Sequence, residues 1–198
     1  LLRRPGASEF ELLERAGHQS IKLFDKPDAG MWELRFSAKI HTTSSLMCWA
    51  ACDRLARIAY HLGLRDRYAY WREKSEAIKA VILDRAWSEK RQSFVESFEG
   101  EMLDAGVLLM AEVGFIDPSD PRFISTLSLT EKTLGRGAFM MRYEAPDDFG
   151  PPDTAFNICA FWRVTALARS GRKEDARAIF ETLLASRNHV GLMSEDIK

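Results

Sequence analysis

The chain has 198 residues, enough for one ordinary domain with a substantial core, and its 46% hydrophobic and 29% charged residues are those of a globular protein. A net charge of −1 leaves no basic face for holding nucleic acid, and no run of about 18 apolar residues exists to span a membrane. Leu1–Gly6 has no apolar centre of a signal peptide, and a start without Met leads us to expect a longer polypeptide around this piece. Residues Ser8 to Leu23 read as a helix, with Ser8 as N-cap, Glu11 three positions on, and apolar residues at Phe10, Leu12, Leu13, Ala16, Ile21 and Leu23. Pro27 ends it, and Gly30 in Asp28–Arg35 supplies a backbone conformation that a side chain forbids. Phe36 to Ile40 is short and extended.

A helix from Ser45 to Leu62 buries Leu46, Trp49, Ala50, Leu55, Ile58 and Ala59 and closes at Gly63. Arg65 to Arg85 pairs with it through Tyr68, Trp71, Ile78, Val81 and Ile82. Trp87 to Phe98 alternates weakly and reads as an extended excursion. Leu103 to Val113 is an apolar helix ended by Gly114, and Pro121 opens the next, Arg122 to Leu134. Gly135 to Thr154 is a long loop, Ala155 to Arg169 and Lys173 to Ser186 are paired helices around Gly171, and Asn188 to Glu195 is a third loop. Cys48, Cys52 and Cys159 lie in apolar runs without CxxC spacing, so they read as core residues of a reducing, cytoplasmic compartment. His18, His41, His61 and His189 form no ligand pair, so neither a metal nor another cofactor is expected.

Helix–Gly–helix units recur at Gly63, Gly114 and Gly171, roughly 50 to 57 residues apart. Such a rhythm marks stacked helical hairpins. One arrangement is an open, tetratricopeptide-like scaffold that binds peptide partners, and Ala166–Ala176 locally looks like one. Its period near 34 residues and its short turns fit poorly with three long loops carrying Trp, Tyr, Arg and carboxylates. The other is a closed, all-α (α/α)6 toroid whose long loops gather at one mouth, and this is the reading we prefer.

Asp28-Ala29-Gly30-Met31-Trp32-Glu33-Leu34-Arg35 and Leu46-Met47-Cys48-Trp49-Ala50-Ala51-Cys52-Asp53-Arg54 resemble the glucoamylase/trehalase family, glycoside hydrolase family 15. So do Met141-Arg142-Tyr143, Thr154-Ala155-Phe156-Asn157-Ile158-Cys159 and Gly191-Leu192-Met193-Ser194-Glu195-Asp196, in order and in register from about Asp25 to Lys198. The resemblance implies that residues 1–198 form part of one (α/α)6 catalytic domain, roughly helices 5 to 11, with the N-terminal β-sandwich and the closing helices lying outside this chain. It implies inverting hydrolysis of an α-linked glucoside, glucoamylase-, glucodextranase- or trehalase-like, with Glu33 as general acid and Glu195 as general base. It also implies that Arg142, Tyr143 and Trp32 contact the sugar.

The residue types suit that chemistry. Inversion needs one protonated carboxyl at the glycosidic oxygen and one carboxylate activating water on the opposite ring face, about 6.5–9.5 Å apart. A ring beside a carboxyl favours the acid form, whereas polar company such as Ser194 and Asp196 favours ionisation. Arg142 can fork two hydrogen bonds to vicinal hydroxyls, although it could instead pair with Asp147 or Asp148. Arg35 is a further sugar contact, with ion pairing to Asp28 as its alternative role. Asp104 reads as a buried helix-start cap, and Trp49, Trp71, Trp87, Phe94, Phe161 and Trp162 as core. Ser45 stands where related bacterial sequences often carry Lys, and Asp153 where many carry Glu, which leaves the preferred glucoside open. An (α/α)6 lyase or epimerase would draw its base from His41, His189 or Tyr143.

Overall fold

The computed structural model describes residues 6–34, 38–148 and 150–197. In chain order come α1 (Ala7–Leu23), α2 (Thr42–His61), α3 (Arg65–Arg85), a hairpin of β1 (Trp87–Ser88) and β2 (Ser93–Phe94), and a 3-10 turn, Ala105–Leu108, that runs into α4 (Leu109–Glu112). Then follow α5 (Pro121–Leu134), a hairpin of β3 (Gly135–Arg136) and β4 (Phe139–Met140), β5 (Ala155–Phe156), α6 (Asn157–Arg169), α7 (Lys173–Ala185) and β6 (Asp196–Ile197).

Three helices stop in the same way. After α2, Gly63 at φ +73° lets Leu64 N–H reach the Ala59 carbonyl at 2.9 Å and its own N–H reach Tyr60 at 3.1 Å. The paired bonds satisfy carbonyls that the helix end leaves open. Gly114 and Gly171, at φ +78° and +90°, repeat the pattern after α4 and α6. The stops at Gly63 and Gly171 throw the next helix back against the last, so α2 packs on α3 and α6 on α7. The core between them holds Leu46, Trp49, Trp71, Phe94, Phe115 and Leu127.

Some sequence expectations shift. Of the apolar residues of α1 only Phe10 is buried with Gly17, whereas Leu12, Leu13 and Leu23 are exposed. In α3 the inward row is Trp71, Ser75, Ile78 and Ile82, and Tyr68 is 38% exposed. Trp87 and Trp162 are half-buried against the core rather than within it. The expected helix Leu103–Val113 begins instead as a 3-10 turn, because the Asp104 side chain accepts from Gly106 N–H at 2.6 Å and fixes a tight start. Gly135–Thr154 carries the β3–β4 hairpin, with Gly137 at φ +60° in its two-residue turn.

The loops are laced together at one end. Asp28 pairs with Lys39, Phe98 N–H bonds to Ile40, Glu96 N–H bonds to Met102, and Glu144 N–H bonds to Leu103. Ala105 N–H reaches the Arg142 carbonyl at 2.8 Å, and β5 pairs antiparallel with β6. This end holds the N-termini of α2 and α6.

Candidate active site

The Asp28–Leu34 turn is built from its own residues. Asp28 Oδ1 accepts from Gly30 N–H at 3.0 Å, Gly30 takes φ +70°, and Leu34 N–H returns to the Ala29 carbonyl at 2.9 Å. Glu33 then stands at φ +55°, a left-handed conformation seldom adopted by a residue with a side chain, and is exposed. Its neighbour Trp32 turns the other way, half-buried, and its indole Nε1–H donates to Asp104 Oδ2 at 2.6 Å. Asp104 is only 5% exposed, and burial pushes its carboxyl up to about 7 even though the Gly106 and Trp32 donors pull the other way; Glu96 adds to the rise. The expected cap at Asp104 is present, and the indole partner was not foreseen.

The middle loop meets the same ring. The Arg142 guanidinium lies 5.9 Å from the Trp32 ring centre, 5.3 Å from Tyr143 and 5.4 Å from Phe156. The buried Tyr143 donates its hydroxyl to Asp147 Oδ2 at 2.6 Å, and burial followed by that bond raises its hydroxyl well above the ordinary tyrosine value. Arg142 Nη2 stands 3.9 Å from the same oxygen, so the alternative pairing with Asp147 exists only as a long contact. Trp32, Glu33, Leu34, Arg142, Tyr143, Asp147 and Asp148 line a concavity of about 220 Å³.

Glu195 is exposed, and its segment is tied to the start of α6: its carbonyl accepts from Asn157 N–H at 2.9 Å, and the Ser194 carbonyl accepts from Asn157 Nδ2 at 2.8 Å. Asp196, the next residue, pairs with Phe156. The Phe156 ring in turn meets Trp32 edge-on with centres 5.7 Å apart. Thus Phe156 joins the Glu195 segment to the Trp32–Glu33 segment, although Glu195 is not among the residues lining the concavity. Arg35 lies outside the described residues. Trp162, read from sequence as core, stands 6.0 Å from Trp32 and backs the site. Phe156 could have been suspected from its place in the Thr154–Cys159 segment that carries the family resemblance, whereas nothing local marks Trp162.

Of the three candidate bases for other chemistry, Tyr143 lines the concavity and gives its hydroxyl proton to Asp147, whereas the two histidines fall elsewhere. His41 is buried beneath Gly30 as the N-cap of α2, His189 is exposed on the last loop, and neither lines the concavity. Among the described residues no group of three His, Cys, Asp or Glu could hold a metal ion, and no helix is long and apolar enough to cross a membrane.

Paired antiparallel helices, closed by repeated glycine turns and carrying their functional loops at one end, are the architecture of part of an (α/α)6 toroid. Solved structures agree. A wild-type glycosidase superposes with a TM-score of 0.78 at 14% identity, covering 89% of this chain and 46% of its own. A bacterial glucoamylase complexed with acarbose gives 0.76 at 14% identity over 95% of this chain and 34% of its own. A sequence profile of glycosyl hydrolases family 15 matches residues 20–197, and the chain belongs to that family. Trehalase of Mycobacterium tuberculosis is 33% identical over 192 residues, 96% of this chain, and trehalase of Thermoplasma volcanium is 32% identical over 189 residues, 95% of it. The chain spans 28% and 30% of those two relatives.

Proposed function

We propose that the full-length protein is an inverting hydrolase that releases glucose from an α-linked glucoside, with residues 1–198 supplying part of its toroidal catalytic domain. Glu33 gives its proton to the glycosidic oxygen as the C1–O bond breaks. Water adds to C1 from the opposite ring face and passes its proton to Glu195. Trp32, Arg142, Tyr143 and Arg35 hold the ring in place. The observation that supports this reading is the edge-on contact of Phe156 with Trp32, because Phe156 also pairs with Asp196 and so links the segments that carry Glu33 and Glu195, some 160 residues apart in sequence. A concavity of about 220 Å³ beside Glu33 suits a single sugar ring rather than a folded polypeptide. The two relatives named above are trehalases, and one structural neighbour at 13% identity is a glycosidase solved with glucose, which favours a carbohydrate over a peptide ligand.

The test is steady-state kinetics of the full-length protein on trehalose, maltose and isomaltose, with the anomers resolved. Inversion gives β-glucose from the non-reducing unit of maltose, and equal α and β anomers from trehalose. Glu33→Gln and Glu195→Gln are each expected to lower kcat by about 10²–10⁴-fold and to leave the thermal midpoint nearly unchanged, since both side chains are exposed. α-Glucose from the non-reducing unit of maltose, or full activity in either variant, refutes the mechanism.

A further inference from the structure

A buried carboxylate needs a reason, because an apolar residue of similar volume would sit there at lower cost. The cap at the start of the 3-10 turn accounts for one oxygen of Asp104: Oδ1 accepts from Gly106 N–H at 2.6 Å. Serine, threonine or asparagine would cap as well with a single oxygen. The second oxygen, Oδ2, takes the Trp32 indole proton at 2.6 Å across 72 residues of sequence. Meanwhile the backbone around Asp104 is tied to the opposite loop: Asp104 bridges Tyr143, Ala105 N–H bonds to the Arg142 carbonyl, and Glu144 N–H bonds to the Leu103 carbonyl at 2.9 Å. One residue therefore grips the Glu33 loop with its side chain and the Arg142 loop with its main chain.

We propose that Asp104 is a positioning residue for the hydrolysis proposed above, holding Glu33 in register with Arg142 through the Trp32 indole. The role rests on that functional reading. Glu33 needs such a support more than most residues, because its left-handed φ of +55° is kept only by the contacts around its turn. Trp32 is the adjacent residue, so freeing its ring lets the Glu33 carboxyl move relative to the sugar bound against Arg142. A misplacement of about 1 Å in such a site can cost on the order of a hundredfold in rate.

The experiment is a double-mutant cycle in the full-length enzyme on the α-glucoside it hydrolyses best. Trp32→Phe keeps a ring and removes the donor, and Asp104→Leu keeps the volume and removes the acceptor. Each is expected to lower kcat by roughly ten- to a hundredfold with KM changed by less than about threefold. The double variant should be no slower than the slower single one. A merely structural role would lower the thermal midpoint and leave kcat of the folded enzyme and the KM-against-kcat split alone. The proposal is overturned if Trp32→Phe keeps kcat within about twofold of wild type, or if the two single losses multiply in the double variant. Should Asp104→Leu fail to fold, Asp104→Asn takes its place in the cycle, since its single carbonyl oxygen cannot accept from both Gly106 and Trp32. Glu33→Gln run alongside separates the two levels: if it is inactive while the Asp104 and Trp32 variants are unaffected, the hydrolysis reading stands and this one falls. A wild-type enzyme that releases no glucose overturns the reading itself.

Discussion

Glu33 occupies a backbone conformation that costs about 1–3 kcal/mol for a residue with a side chain, and such strain persists only where the surroundings over-determine it. Here the surroundings are the Asp28–Gly30 turn and the His41 ring beneath it. Gly30 is at φ +70°, and a Cβ built on it would lie 2.9 Å from His41 Nε2 and Cδ2. Both effects point the same way. Gly30→Ala in the full-length protein should destabilise by about 1–3 kcal/mol and lower kcat by more than the folded fraction explains, because the turn that re-forms would re-aim Glu33. Thermal melting and glucose release measured together check it; a wild-type midpoint with wild-type kcat would show that the turn tolerates a methyl group. Pro27 and Gly30 mark the break in the sequence itself. That Gly30 must also leave room for an imidazole is not written there, since His41 is brought under the turn by the Asp28–Lys39 bridge and not by local spacing.

The hairpins were legible for a physical reason: each stop is a local motif, a left-handed glycine flanked by residues that complete two backbone bonds, and Asp120–Pro121 is an equally local start, with Asp120 accepting from Arg122 N–H. The β5–β6 pair was not legible. Its strands are two residues each and lie some 40 residues apart in sequence, too short for any periodicity to show. The packing of α1 was hidden for another reason: its contact face is set by a missing side chain. A Cβ on Gly17 would come within 2.2 Å of Leu55 Cδ1 and 2.6 Å of the Trp71 ring. Helix propensity alone favours Gly17→Ala by about 1 kcal/mol. Overpacking costs typically about 1–3 kcal/mol, and the two atoms struck belong to residues 4% and 0% exposed, with little room to yield. Overpacking therefore wins, and the variant is expected to unfold at lower urea than wild type. An unchanged or raised midpoint would mean that α1 can slide away from α2 and α3 without loss.

Across the whole molecule, the family resemblance singled out Glu33, Arg142 and Glu195 as candidates, but not what holds their loops, because long-range contacts are a property of the assembled fold. Asp104 shows this most clearly: its place as a buried cap could be read from Leu103-Asp104-Ala105, but not its indole partner 72 residues away. Its enclosure also has a global consequence. With its carboxyl pushed up to about 7, chiefly by burial, the folded protein keeps a proton that the unfolded chain gives up near pH 4. Stability from this group is therefore present at low pH and is lost as pH rises towards 7, by about 4 kcal/mol in all. His41 acts in the opposite sense. Burial holds it below 6.5 against the pull of Asp28 and Glu96, with Lys39 adding to the depression, so its contribution is lost as pH falls below that value. The two slopes oppose each other in mildly acidic solution, and a bare melting curve would blur them. Asp104→Asn separates them, because it leaves His41 in place and removes only the titrating carboxyl. Between pH 5 and pH 8 the wild-type midpoint should fall relative to that of the Asn variant, with most of the change complete near pH 7. A difference that stays constant over this range would mean that the carboxyl titrates like an exposed aspartate, and that water reaches the Trp32–Asp104 bond.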